Sequence, residues 1–255
     1  MARNISDVVR EICLGLPEAT EVSSHGSPDF RVGKHTFATY AINHHGDGRI
    51  ALWLNMPSGA QQLYVEAEPG VCFVPPYVGP RGWLGVQLDR GMDWSRIAAL
   101  VREAYARVAS PDLVARMGPP VDVEPPLQSV DPEEFDPLSP PRVQELLGGL
   151  RERCLHLPEV TETEQFGNPA WRAGKKTFCT ASRYRRRLQL HFWVGAEQQS
   201  QLTMDERFTI PAYLGHNGWI ALDAEDGVMW PEVESLLLTS YRHFALKRML
   251  KALPA

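Results

Sequence analysis

The sequence contains one long segment twice. Residues 13–37 return as residues 154–178 without a gap, at an offset of 141 residues, and 14 of these 25 positions are identical. A repeat of this length is a whole domain. The 255 residues therefore predict two domains of ordinary size, and each candidate functional residue has to be compared with its counterpart in the other copy.

An acidic, proline-rich segment separates the copies. Residues 118–141 hold eight prolines and six Asp or Glu, with no Lys or Arg. Proline fixes its own φ and lacks an amide donor, so this composition predicts a semi-extended, solvated linker. We expect domain one at residues 1–117, the linker at 118–141 and domain two at 142–255.

Each copy has the same order of predicted elements. An amphipathic helix opens it and ends before Pro17 or Pro158, and a second amphipathic helix closes it. Between them the hydrophobic period falls towards two, and hairpin turns are predicted at residues 33–34 and 174–175. The pattern indicates an α+β fold, an antiparallel sheet with its N- and C-terminal helices on one face.

Composition limits the classes of function. The chain is 44% hydrophobic and has no apolar run long enough for a membrane span or a leader, so we expect a cytoplasmic protein without membrane contact. The net charge is -5, but the linker alone carries -6, which leaves +1 for both domains. The four cysteines are expected to be reduced core thiols, and the turn containing His44, His45 and Asp47 is expected to lie on the surface. No metal or other cofactor is predicted.

The ordered motifs resemble those of the MmcQ/YjbR family. They are Cys-Leu-x-Leu-Pro-x-x-Thr-Glu, then Gly-x-Pro-x-Phe/Trp-Arg-x-Gly-Lys, then the Tyr-x-Gly-x-x-Gly-Trp loops of residues 77–83 and 213–219. The resemblance covers both copies, whereas the family usually has one. It implies a CyaY-like (frataxin-like) α+β sandwich and a DNA-binding role through a double-wing surface. It implies no catalytic residue, and the acidic helix with which frataxins bind iron is absent.

Basic residues are candidates for contacts with nucleic acid. The strongest difference between the copies is a basic hairpin in copy two, residues 183–187, where residues 42–49 of copy one are neutral and glycine-rich. Arginine can fork onto phosphate, and a lysine in a turn can reach it. The alternative is that the lysines are solvated and that Arg31 and Arg172 pair with acids such as Glu21 and Glu162. The predicted nucleic-acid contacts are Arg31, Arg81, Arg172, Lys175, Arg183, Tyr184, Arg185, Arg186 and Arg187.

The two glycine-containing loops supply aromatic candidates. Tyr77 and Trp83 in copy one match Tyr213 and Trp219 in copy two, and their flat rings could stack on a planar ligand. The alternative is that both tryptophans begin a strand and anchor the core.

These observations lead to two hypotheses. The first is a non-enzymatic DNA-binding protein that uses the basic hairpin. The second is a protein that binds or sequesters a planar small molecule in an aromatic cleft, within a copy or between copies. No nucleophile, base or metal set is shared by both copies, so we predict no enzymatic activity. The repeat also predicts a pseudo-dimer within one chain.

Overall fold

The computed structural model describes residues 2–24, 26–120, 123–184, 186–212 and 214–254, except the side chain of Tyr184. The chain divides into two compact units between Phe135 and Asp136. We call them domain one and domain two and describe each separately. Among the described residues, no helix is long and apolar enough to cross a membrane.

Domain one contains one antiparallel sheet of six strands, in the order β1-β2-β3-β4-β6-β5. Its strands are β1 Ala19–Ser24, β2 Ser27–Val32, β3 His35–Ile42, β4 Ile50–Asn55, β5 Cys72–Phe73 and β6 Trp83–Gln87. Its helices are α1 Ile5–Leu14, α2 Ala60–Ala67, α3 Trp94–Val108, α4 Pro111–Ala115 and α5 Pro132–Phe135.

Domain two repeats this plan, with strand order β7-β8-β9-β10-β12-β11. Its strands are β7 Val160–Gln165, β8 Asn168–Ala173, β9 Lys176–Tyr184, β10 Arg187–Trp193, β11 Phe208–Thr209 and β12 Trp219–Asp223. Its helices are α6 Pro141–His156, α7 Ala196–Leu202, α8 Trp230–Phe244 and α9 Lys247–Lys251. In both sheets the last edge strand has only two residues.

The opening and closing helices pack on one face of each sheet, as predicted. In domain one the apolar stripes of α1 and α3 cover alternate residues of the central strands, among them Phe37, Leu52 and Leu54. Domain two builds the same layer from α6, α8 and strand residues such as Phe178 and Phe192. Asn4 caps α1 with a reciprocal capping box, and Asp93 caps α3.

Residues shared by the copies hold helix to sheet. The hydroxyls of Tyr105 and Tyr241 donate to the carbonyls of Pro17 (2.6 Å) and Pro158 (2.8 Å), where the opening helices have ended. All four cysteines are buried and free. Burial raises the pKa of Cys13 and Cys179 well above the ordinary thiol value, so both are protonated core side chains.

The predicted linker is divided between the two units. Residues 123–135, which we call the strap, pack onto domain one, and Val123 and Val130 are buried in its core. The amide of Leu127 donates to the carbonyl of Arg3 at 2.9 Å. Apolar side chains between the prolines thus anchor this segment to domain one. The solvated spacer predicted for residues 118–141 is therefore not observed over residues 123–135.

A polar contact fixes the end of the strap. The Ser6 hydroxyl lies 2.7 Å from a Glu134 carboxylate oxygen and 2.9 Å from the Tyr40 hydroxyl. Ser6 and Tyr40 are buried, and burial raises the pKa of Tyr40, so the phenol is neutral. Glu134 is one of the predicted linker acids, and it is bound to domain one.

Candidate functional site

The face of each sheet that is turned away from the helices carries the residues that differ most between the copies. We call it the outer face. In domain one Trp53 lies between the core residues Leu52 and Leu54 and therefore points to the outer face, where it clusters with Ala41 and Ala51. Strand pairing places one row of residues across this face, in the order Val22, Asp29, Thr39, Trp53, Gly85, Phe73.

Four rings meet on the outer face of domain one, and we call them the aromatic cluster: His44, His45, Trp53 and Tyr77. The ring of His44 lies edge-on to Trp53, with centroids 4.7 Å apart, and 3.9 Å from His45. The ring of Tyr77 is 6.0 Å from each histidine and nearly perpendicular to both. Trp53 is buried, whereas 65% of Tyr77 is exposed.

The backbone of the aromatic cluster is strained. Tyr77 has φ 63°, His45 has φ 55° and neighbouring Asn43 has φ 46°. A left-handed conformation is tolerated by asparagine but is unusual for a bulky residue, at a cost of about 1 kcal/mol or more for each. Outliers of this kind concentrate at functional sites. Here they bring two separate loops together over one tryptophan.

The loop that holds the histidines is well supported. The amide of Asn43 donates to the carbonyl of Arg49 at 2.6 Å, and the Asn43 side chain accepts from Gly48 and donates to the carbonyl of Phe135 in the strap. Burial lowers the pKa of His44, and the neighbouring His45 lowers it further, so His44 is neutral near pH 7. His45 and Asp47 are exposed, as expected for a surface turn, whereas His44 is partly buried against Trp53.

An ion pair lies beside the aromatic cluster on the same face. Arg31 donates to one oxygen of Asp29 at 2.8 Å, and Thr39 donates to the other at 2.6 Å. The predicted partner Glu21 binds Arg10 instead, and Glu162 binds Arg151. The alternation of side chains explains this correction, because Asp29 and Arg31 are two residues apart on one strand and share a face.

Domain two carries different residues in the same row. Strand pairing places Thr163, Ala170, Thr180, His191, Ala221 and Thr209 across its outer face. His191 thus replaces Trp53, and Ala170 replaces Asp29. Burial lowers the pKa of His191 to about 4, so its ring is neutral. Arg172 is the counterpart of Arg31, and in the described part of the chain the Nε atoms of both arginines are buried without a hydrogen-bond partner.

Two arginines of the basic hairpin, Arg183 and Arg187, pair with acids of residues 223–226. Arg183 is 7% exposed and donates to Glu225 at 3.1 Å and to the carbonyl of Pro137. Arg187 binds Asp223 and, at 3.0 Å, Asp226. Arg186 is exposed in the tight turn, with φ 62°. Arg185 and the side chain of Tyr184 lie outside the described residues.

Within domain two, Lys175 lies far from this hairpin. Lys175 is exposed in the turn before β9, and Arg183 lies near the far end of that strand. Eight residues of extended chain separate the two by about 26 Å. Arg81 is exposed in the glycine-containing loop of domain one. The structure therefore does not bring the predicted basic residues of domain two together at one point.

The two glycine-containing loops are held by the same set of hydrogen bonds, which the sequence motifs do not predict. The side-chain amide of Gln61 donates to the carbonyls of Gly79 and Trp83, and Gln199 does the same for Gly215 and Trp219. We call this arrangement the glutamine clasp. A Cβ at Gly79 would lie 2.5 Å from Val74, and one at Gly215 2.1 Å from Ile210, so close packing requires both glycines.

The aromatic candidates beside the clasp differ in their exposure. Trp83 is partly buried, and Trp219 is 7% exposed, which agrees with an anchoring role at the start of a strand. Tyr77 has an exposed ring. Tyr213 lies outside the described residues.

A cleft of about 400 Å³ lies beside the strap and is bordered by Asp89, Trp94 and Leu127. None of the predicted aromatic or basic residues lines it. Among the described residues, no group of three His, Cys, Asp or Glu could hold a metal ion.

The fold defines a tandem α+β protein whose two domains share one strand order. The family model named YjbR matches residues 14–107 and 155–243, and the chain therefore belongs to the YjbR family, in two tandem copies. The chain is also similar to the crystal structure of the Deinococcus radiodurans protein DR2400, which contains a DUF419 domain. The identity is 20%, the match covers 48% of this chain and 94% of that one, and the TM-score is 0.38. No curated protein matches the chain.

Proposed function

We propose that the chain is a binding protein that holds a planar, uncharged aromatic molecule against the aromatic cluster of domain one. The observation that carries the proposal is Tyr77, a 65% exposed tyrosine held in a left-handed conformation beside His44 and His45. A strained, supported and exposed ring is preorganised for stacking, because ordering it on binding costs little further entropy.

The chemistry of the surface favours a neutral, planar ligand. Stacking of a base on an aromatic side chain contributes about 1–3 kcal/mol, and His44 is neutral at physiological pH. The Nε2 of His44 and the Nε1 of Trp53 are buried without hydrogen-bond partners in the described part of the chain. The accessible ring of Tyr77 therefore lies beside His44, which carries no charge.

Adenosine is a suitable probe, observed through the NMR signals of the Trp53 indole and the loop of residues 43–49. We expect a saturable shift of these signals that Tyr77→Ala removes. Phe166→Ala is the matched control, since Phe166 is 66% exposed and also has a positive φ, 54°, but lies in domain two. Equal loss in both variants, or an unchanged shift in Tyr77→Ala, would refute stacking at this cluster.

DNA binding through the basic hairpin is the second candidate, and it stays a prediction. Its support is the exposed position of Arg186 at the turn. Carboxylates bind Arg183 and Arg187, so fewer cations are free to displace counterions from phosphate.

Duplex DNA at two salt concentrations tests this second candidate. If the hairpin is the contact, Arg186→Ala weakens binding and reduces its dependence on salt, whereas Arg90→Ala, which removes an exposed arginine of domain one, leaves both unchanged. Binding that does not respond to salt would exclude it.

A further inference from the structure

The strap of domain one ends against the loop that carries the two histidines of the aromatic cluster. We call residues 43–49 the histidine loop. The side-chain amide of Asn43 donates to the carbonyl of Phe135, the last residue of the strap, at 3.1 Å. The side-chain oxygen of Asn43 accepts from the amide of Gly48 at 2.9 Å. One side chain therefore bonds to the strap and also holds the histidine loop together.

The residue before Phe135 binds the strap to the core of domain one through two hydroxyls. Glu134 accepts from the Ser6 hydroxyl at 2.7 Å, and the Ser6 oxygen lies 2.9 Å from the Tyr40 hydroxyl. A serine hydroxyl has one proton, so Tyr40 donates to Ser6 while Ser6 donates to Glu134. We call this series of hydrogen bonds the latch. When Glu134 leaves, Ser6 and Tyr40 still bond to each other, and undocking leaves only one hydroxyl proton without an acceptor.

Domain two has an apolar core at the place of the latch. Leu147 and Ala181 stand 141 residues after Ser6 and Tyr40, and both are buried in the core of domain two. Packing of the opening helix on the sheet therefore requires no hydroxyl at this point. The two hydroxyls of domain one serve a different purpose, which is to receive a carboxylate from the strap in one defined arrangement.

The middle of the strap is weakly attached to domain one. Val123 and Val130 are buried, but residues 124–125 and 127–129 are exposed. The cleft of about 400 Å³ lies beside residues 126–129, so this part of the strap is not packed closely against the domain. Segments with few buried apolar contacts open at a lower cost in free energy than the core of a domain. The strap has the features of a segment that opens before the sheet unfolds.

We propose that the latch controls the aromatic cluster. A strap docked through Glu134 holds the histidine loop in place through Asn43, and an undocked strap releases the loop. The inference rests on the proposed function for its ligand, but the connection between strap and loop exists without a ligand. Because coupling between two binding events is reciprocal, a molecule bound at the aromatic cluster also stabilises the docked strap.

Amide hydrogen exchange of the full chain without ligand tests this connection. Glu134→Ala should raise exchange at Phe135 and in the histidine loop by about fivefold or more. The matched control is Glu124→Ala, which removes a 92% exposed acid of the same strap and should leave the histidine loop unchanged. The amide of Leu52 in β4 reports the stability of the whole domain and should keep its exchange rate. An equal rise at Leu52 would overturn the proposal, because the loss of stability would then be general.

Asn43→Asp tests the path from strap to loop. Aspartate keeps an oxygen that accepts from Gly48 and tolerates the left-handed conformation, but it cannot donate to Phe135. Exchange in the histidine loop should rise in this variant, and the addition of Glu134→Ala should raise it no further. Additive effects of the two changes would refute a common path. Faster exchange at Phe135 with an unchanged loop, or no change at either, would refute it as well.

Adenosine tests the connection between the latch and binding. Glu134→Ala should weaken adenosine binding by about fivefold, whereas Glu124→Ala should leave it unchanged. Equal affinity in the wild-type chain and in Glu134→Ala would show that the latch does not control the aromatic cluster. If adenosine does not bind the wild-type chain, the proposed function fails, and the exchange measurements without ligand still decide whether the latch holds the histidine loop.

Discussion

The outer faces of the two sheets share one register and carry different chemistry. In domain one the central row contains an ion-paired aspartate and a tryptophan covered by histidines and Tyr77. In domain two the same row contains an alanine and a buried, neutral histidine. The hydrogen bonds of Tyr105 and Tyr241 and the two glutamine clasps, in contrast, are the same in both domains. The strand order and these hydrogen bonds, which we call the shared frame, have therefore been kept while the two outer faces diverged.

Substitution of the clasp glutamines tests whether the same contact stabilises both domains equally. Gln199→Leu should destabilise domain two by about 2 to 5 kcal/mol, because two buried carbonyl oxygens each lose their donor. Gln61→Leu should have a similar effect on domain one. Chemical denaturation followed by hydrogen exchange in each sheet measures both, and Gln201→Leu, an exposed glutamine of the same helix α7, serves as the control. A loss confined to one domain would show that the frames are unequal.

Low pH should destabilise domain two through His191. The folded chain holds the pKa of this histidine at about 4, and the unfolded chain has the ordinary value near 6.5, so the unfolded state binds the proton more tightly. Stability of domain two should therefore fall as the pH drops from about 6.5 to about 4, by up to about 3 kcal/mol.

The control for this pH dependence is a second histidine of the same domain. His191→Gln should remove most of the pH dependence, and His216→Gln, which changes an exposed side chain, should retain it. Hydrogen exchange of the β10 amides at several pH values reports the result. An identical pH profile in the His191 variant would disprove the assignment.

The counterion of domain one gives a smaller effect. Asp29→Ala should lower the stability of domain one by about 2 kcal/mol, because Arg31 and Thr39 lose their shared acceptor. Asp112→Ala, at an exposed position in α4, should change stability little. Urea denaturation measures the difference.

The smallest effect is expected at the basic hairpin. Arg187→Ala removes ion pairs with Asp223 and Asp226 in which the arginine is half exposed, so the unfolding free energy should change very little. Thermal denaturation at low and high salt measures the change. A large loss of stability would mean that the hairpin and residues 223–226 form a structural network rather than a solvent-exposed surface.

Much of the architecture could be predicted because it is periodic and repeated. The amphipathic helices and the Gly33 and Gly174 hairpins follow from hydrophobic spacing and turn residues. Strands β1 and β7 were missed because they are polar edge strands, with sequences Ala-Thr-Glu-Val-Ser-Ser and Val-Thr-Glu-Thr-Glu-Gln that show no apolar alternation. The strap was missed because Val123 and Val130 are isolated apolar residues among prolines, and only the folded domain shows that they are buried.

The candidate sites were harder to predict because the offset between the two copies is not constant along the chain. The offset of 141 residues that relates Arg31 to Arg172 falls to 138 between Trp53 and His191, because the intervening loops differ in length. Comparison at a fixed offset therefore never aligned these two residues. The pairing of Arg183 and Arg187 with acids about 40 residues away is likewise a tertiary contact that no local pattern reveals.

The two-residue edge strands have a consequence for how such a chain is made. During synthesis, two homologous sheets on one tether meet at high effective concentration, and their unfinished strands could pair with the wrong copy. Strands β5 and β11 offer almost no free backbone for such pairing, and the opposite edge of domain two carries Glu162 and Glu164. The short edges thus protect a duplicated protein against misfolding with itself.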